Sequence, residues 1–354
     1  MKITGLECWQ EKMKLAEPYT IAYETIDTTT NVFMRIDTDR SPSGFGCAAP
    51  DLEVTGETGE TVMTAFRDII EPYLLGKAPF TYALILDELK TLLHGQPAAL
   101  TMVDMALFDL IGKKTQEPVY RLLGGYRDAI PTSVTVGILP VQETLERAKA
   151  FMQQGFFILK VKGGTDVDED VERIMKLREM VGPDMEIRFD ANQGYSVKEA
   201  VYFMHQIRSA KIELLEQPTK REEDHLLKQV SRQVSVPVMA DESLMGLADV
   251  FHLTANNSTD MINIKLMKAG GIMEGIRINA VAMAANVETM VGCMDESAMG
   301  ISAGLHFALA RPNILYADLD GHFDLIDDPF AAMVRCEKGV LYPSDRPGFG
   351  WEGK

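Results

Sequence analysis

The sequence predicts a (β/α)8 barrel (TIM-like) joined to an N-terminal α+β unit, and three observations lead there. From Pro131 onward, short β-type runs recur with helical stretches between them, eight times in all. Residues 1–125 lack that repeat and combine β-rich stretches with apolar-periodic helices. Charged residues gather at the C-terminal ends of the repeated runs, where a barrel of this kind carries its chemistry.

Taken in chain order, the first unit shows β-rich stretches near Ile3–Trp9 and Val32–Asp37, then helical periodicity around Thr61–Leu75, Leu84–Leu93 and Ala98–Ile111. The eight strands of the barrel read as Thr132–Val136, Phe157–Val161, Glu186–Asp190, Ile212–Glu216, Val236–Ala240, Met261–Lys265, Glu288–Gly292 and Ile314–Asp318. Helices are expected between them, as at Val141–Gln153, Val167–Met180, Val197–Arg208 and Ile272–Ala285. After about residue 325 there is no ninth unit, so the tail should pack back on the first unit. The expected division is 1–125, 126–325 and 326–354, with no low-complexity linker.

Composition narrows the function classes. At 354 residues, 46% of them hydrophobic, the chain can bury a sizeable core. A formal net charge of −17 with no basic stripe argues against a nucleic-acid or membrane partner. Cys8, Cys47, Cys293 and Cys336 are scattered, without a CxxC pair or a disulfide framework. The N-terminal residues lack the apolar core of a signal peptide and no apolar run is long enough to cross a bilayer, so a cytoplasmic enzyme is expected. Monomer and homo-oligomer both remain open.

The strand ends suggest specific chemistry. Lys160 and Lys162 are two apart at the end of the second strand and share a face, so each should disfavour the other's charge and lower a lysine pKa towards the range of a general base. Asp190, Glu216 and Asp241 end strands three, four and five; three convergent carboxylates call for a divalent cation, and all-oxygen ligation suits Mg²⁺. Lys265 ends strand six, across the ring from strand two, so Lys162 and Lys265 would face one another as a two-base proton transfer requires. Asp318 and Asp320, at the end of strand eight, form a second acidic pair that would hold an ammonium group across the site from the metal. After strand seven, Asp295 or Glu296 either lines the pocket or caps the following helix, and Cys293 reads as pocket wall rather than nucleophile. Lys268, further along, reads as structural.

These residues resemble the enolase superfamily, muconate-lactonizing-enzyme subgroup, over nearly the whole chain. Lys160-Val161-Lys162, Asp190-Ala191-Asn192-Gln193, Glu216-Gln217-Pro218, Asp241-Glu242-Ser243 and the Asn263–Gly271 stretch occur in the subgroup's order. The resemblance implies a capping domain over the barrel and Mg²⁺-assisted proton abstraction beside a carboxylate through an enediolate. It implies metal ligation by Asp190, Glu216 and Asp241, catalysis by Lys162 and Lys265, and substrate contacts at Thr135, Lys160, Cys293 and Asp295. Asp318-Leu319-Asp320 looks like the signature of dipeptide epimerases, where the pair holds the free α-ammonium. Capping loops near 16–30 and 50–57 would close over the dipeptide. Alanyl-glutamate epimerases carry a basic residue in the first of these loops, whereas this chain offers Glu24; with Asp51, Asp295 and Glu296 this points to cationic or hydrophobic dipeptides. Rival readings are L-Ala-D/L-Glu epimerisation, N-acylamino acid racemisation, o-succinylbenzoate synthesis, lactone cycloisomerisation, a metal-dependent barrel hydrolase and a silent barrel. Asp318 and Asp320 argue against substrates lacking a free ammonium, and the histidines show no metal-ligand spacing.

Overall fold

A computed structural model describes residues 1–22, 25–40 and 42–352. The chain opens with a long hairpin: β1 (Ile3–Thr20) pairs antiparallel with β2 (Thr25–Thr38), and β2 with β3 (Gly44–Ala48). The helix Pro97–Thr115 lies on this sheet and is buried along nearly its whole length. Gly44 and Gly46 allow that approach, because a Cβ at either would collide with the helix carbonyls of Ala106 or Met102.

The barrel strands follow a short β4 (Ile130–Pro131): β5 (Val134–Val136), β6 (Ile158–Lys162), β7 (Glu186–Asp190), β8 (Leu214–Glu216), β9 (Val238–Ala240), β10 (Met261–Lys265), β11 (Glu288–Gly292) and β12 (Ile314–Asp318). They form one parallel sheet in sequence order, and the bridge Thr132–Ala317 joins its two ends. Four of the eight have the bounds read from the sequence; β9 starts later than expected because Pro237 has no N–H to donate. Leu214, Met239, Met261 and Met290 fill the barrel floor, and burying each such side chain stabilises the fold by roughly 1.5–3 kcal/mol.

The remaining strands lie near the C-terminus. β13 (Leu325–Ile326) pairs with β1, while β14 (Arg335–Glu337) and β15 (Val340–Tyr342) form a small sheet with β4. Buried carboxylates join the parts. Asp104 accepts from the N–H groups of Ile272 (2.7 Å) and Met273 (3.2 Å) at the start of a barrel helix, and Asp109 accepts from those of Phe45 and Phe349 (2.9 Å each). Among the described residues no helix is long and apolar enough to cross a membrane.

Candidate active site and metal centre

Inward-facing positions two apart on each strand build the site in layers above the floor. Arg188 and Asp190 share a face of β7, Met239 and Asp241 occupy equivalent points on and just after β9, and Met261, Asn263 and Lys265 line up on β10. At the upper layer, ligand oxygens of Asp190, Glu216 and Asp241 lie within 4.8 Å of one another, all three buried.

Lysines surround this triad. Lys160 Nζ is 3.1 Å from Asp190, 2.8 Å from Glu216 and 2.8 Å from Asp318. Lys162 Nζ reaches Asp190 Oδ2 at 2.8 Å, and Lys265 Nζ reaches Asp241 Oδ2 at 2.8 Å from the other side. Lys268, in the short helix Leu266–Ala269, donates to the Asp241 side chain and carbonyl. Lys160 is held in its charged form. Burial disfavours its charge, but Asp318, Glu216 and Asp190 outweigh that and raise its pKa well above the usual range. At Lys265, burial is likewise overcome by Asp241.

The carboxylates divide unequally. Burial opposes ionisation at all three, yet Lys162 and Lys160 hold Asp190 down to about 2, and Lys265 and Lys268 hold Asp241 well below the usual value. Glu216 is pushed up to about 8 by burial and by the charge of Asp190. Its Oε1 accepts from Asn263 Nδ2 at 2.8 Å, and its Oε2 is paired with the Lys160 ammonium at 2.8 Å. Three buried carboxylates whose oxygens converge in one cluster are the all-oxygen donor set that a hard divalent cation takes.

A cavity of about 570 Å³ opens onto the site. Thr135, Lys160, Lys162, Asp241, Lys265, Cys293, Asp295, Asp318, Asp320 and Asp51 all line it. Asp318 accepts from Ser133 Oγ at 2.6 Å and from Lys160, while Asp320 accepts from Thr135 N at 2.6 Å. Burial and the neighbouring Asp318 push Asp320 up to about 7. Both Asp295 oxygens lie 3.0 Å from the Tyr19 hydroxyl, which donates across from the capping unit. Neither Asp295 nor Glu296 caps the next helix: Ser297 does so, and Glu296 turns inward to accept from Met294 N at 2.9 Å, outside the cavity lining. Glu24 lies outside the described residues.

Sequence reasoning passed over Tyr19, Ser133 and Asn263. Asn263 and Ser133 carried a signal, each lying two residues from a residue already singled out, Lys265 and Thr135. Tyr19 carried none, because its partner is 276 residues away.

Two family models match the chain in tandem: the mandelate racemase / muconate lactonizing enzyme N-terminal domain over residues 3–124, and the enolase C-terminal domain-like family over residues 143–354. The protein belongs to the enolase superfamily. Within the superfamily it falls in the muconate-lactonizing-enzyme subgroup. This enolase-superfamily chain is 41% identical to an L-Lys-D/L-Arg epimerase of Desulforapulum autotrophicum, over 99% of both chains. The substrate-liganded L-Ala-D/L-Glu epimerase from Bacillus subtilis superposes with a TM-score of 0.96 at 37% identity, covering 99% of this chain and 98% of that one. The dipeptide epimerase from Enterococcus faecalis, complexed with Mg and L-Leu-L-Tyr, gives 0.95 at 36% identity over 99% of each. Relatives of this enolase-superfamily protein are named epimerases and racemases, and the protein is an isomerase of that class.

Proposed function

We propose that the protein is a Mg²⁺-dependent dipeptide epimerase that inverts the α-carbon of the C-terminal residue. The observation that carries this reading is the pair Lys162 and Lys265, which approach the carboxylate triad from β6 and β10, four strands apart, each anchored to a different member. Asp190, Glu216 and Asp241 would hold the cation. When bound, it supplies Lewis-acid stabilisation of the charge that grows on the substrate carboxylate as the α-proton leaves. Lys162 takes or returns the α-proton at Nζ on one face of the carbon, and Lys265 does so on the other. One must be neutral while the other is protonated, so rate depends on pH in a bell shape. Lys160 adds positive charge beside the substrate carboxylate. Asp320, with Asp318, accepts hydrogen bonds from the dipeptide's free ammonium.

Charge supports a cationic or hydrophobic dipeptide over Ala-Glu. Among the described residues ten acidic side chains line the cavity against four basic ones, and three of those four are the site lysines already paired to carboxylates. The fourth, Arg147, is paired with Glu17 and Asp324, so among the described residues no unpaired cation awaits a glutamyl side chain. The test is α-deuterium uptake in D₂O with Mg²⁺ and a library of L,L-dipeptides grouped by side-chain charge. Exchange with cationic or apolar members is expected. Exchange only with Ala-Glu overturns the specificity, and exchange only with N-acylated amino acids overturns the dipeptide reading.

A further inference from the structure

Gln217 follows Glu216 of the carboxylate triad, and its connections reach all three strand ends that carry the triad. Its side chain is fully buried and its amide has every hydrogen-bonding direction filled. Oε1 accepts from Asp241 N at 2.9 Å and from Ser243 N at 3.1 Å, while Nε2 donates to Thr219 O at 2.8 Å and to Ser243 Oγ at 2.9 Å. The main chain extends the same frame. Gln217 N donates to Met239 O on β9 at 2.9 Å, and Gln217 O accepts from Gln193 N, just beyond Asp190, at 2.8 Å. A φ of +30° at a non-glycine residue shows that the backbone accepts strain to hold this amide in place.

We infer that Gln217 is a positioning residue that sets the spacing of the three carboxylates and thereby the affinity for the divalent cation. The inference rests on the metal reading above and goes beyond it, because Gln217 offers the cation no atom of its own. Its Oε1 fixes where the main chain of Asp241 emerges, and its own main chain fixes Glu216 next door. An apolar side chain of similar length cannot satisfy the N–H groups of Asp241 and Ser243, so the loop after β9 shifts and the triad loosens. Fixing a ligand through a neighbour that does not touch the metal is a general feature of metal sites, and its loss weakens binding by about 10–100-fold.

The experiment is calorimetric titration of the full-length protein with Mg²⁺ and with Mn²⁺, alongside the thermal unfolding of the metal-free protein. Gln217→Met is compared with Met261→Ala on the barrel floor, which opens a core cavity away from the site. Both variants lower Tm, and only Gln217→Met weakens cation binding, by about 10-fold or more. If Gln217→Met does not fold, Ser243→Ala, which removes one partner of the Gln217 amide, reads the same effect at about 3-fold or more. Cation affinity unchanged in the Gln217 variant, or in the Ser243 variant where that must stand in for it, overturns the inference, as does equal weakening in Met261→Ala. Failure of the unmodified protein to bind either cation overturns the metal reading and, with it, this one.

Discussion

Tyr19→Phe isolates one contact between the tip of the first hairpin and the barrel. The hydroxyl donates to Asp295 with both carboxylate oxygens at 3.0 Å, and Thr20 O accepts from Ile138 N at 2.8 Å beside it. Phenylalanine keeps the ring and removes only the donor. A hydrogen bond to a charged partner contributes about 2 kcal/mol, a factor of about 30 in the equilibrium between Tyr19 docked on Asp295 and undocked. Asp295, already pushed up to about 6 mainly by burial, loses the partner that favours its charge. Steady-state epimerisation should therefore show KM raised by about 10–30-fold with kcat little changed, as for a contact that favours substrate binding without touching the reacting carbon. Hydrogen exchange of residues 15–22 should accelerate in parallel. Unchanged KM and unchanged exchange would refute the reasoning; a fall in kcat alone would place Tyr19 in the chemistry instead.

Two further outcomes are expected. His306 is fully buried, accepts from Tyr120 N at 3.0 Å, and burial lowers its pKa to about 3. Its folded value lies below the unfolded one of about 6.5, so this contribution to stability is intact at neutral pH and is lost as pH falls; between pH 7 and 5 the loss is about 2 kcal/mol. Denaturant unfolding of His306→Gln, which keeps an acceptor but cannot titrate, should show a pH dependence smaller by that amount; the same slope in both proteins contradicts it. Asp320→Asn should lower kcat/KM for free dipeptides by about 10–100-fold, as expected for one charge-assisted hydrogen bond, and leave cation affinity within twofold by titration. An equal loss for N-acetylated dipeptides would show that Asp320 does not read the ammonium.

Much of the barrel was legible because its strands carry apolar runs of strand length ending in charge, as at Glu186–Asp190 and Met261–Lys265. The triad was legible because Asp190, Glu216 and Asp241 end successive units of one repeat. The hairpin was less so: most of β1 is exposed or half-buried and polar, and reads as strand only over Ile3–Trp9, although it runs to Thr20. β3 was hidden by Gly44 and Gly46, whose purpose is close approach to a distant helix. What holds the charge of Lys160 was hidden for the same physical reason, since Asp318 and Glu216 are remote in sequence and only the closed ring brings them near.

The central claim is a proton acceptor on each face of the α-carbon, and single-turnover α-proton exchange in Lys162→Met and Lys265→Met tests it most directly. Each variant is incubated in D₂O with the L,L and the L,D diastereomer separately. Both should lose epimerisation by at least about 100-fold, the loss typical for a general acid or base. One should still exchange only the L,L substrate and the other only the L,D substrate. Epimerisation surviving in either variant, or the same diastereomer exchanging in both, would contradict the two-base assignment.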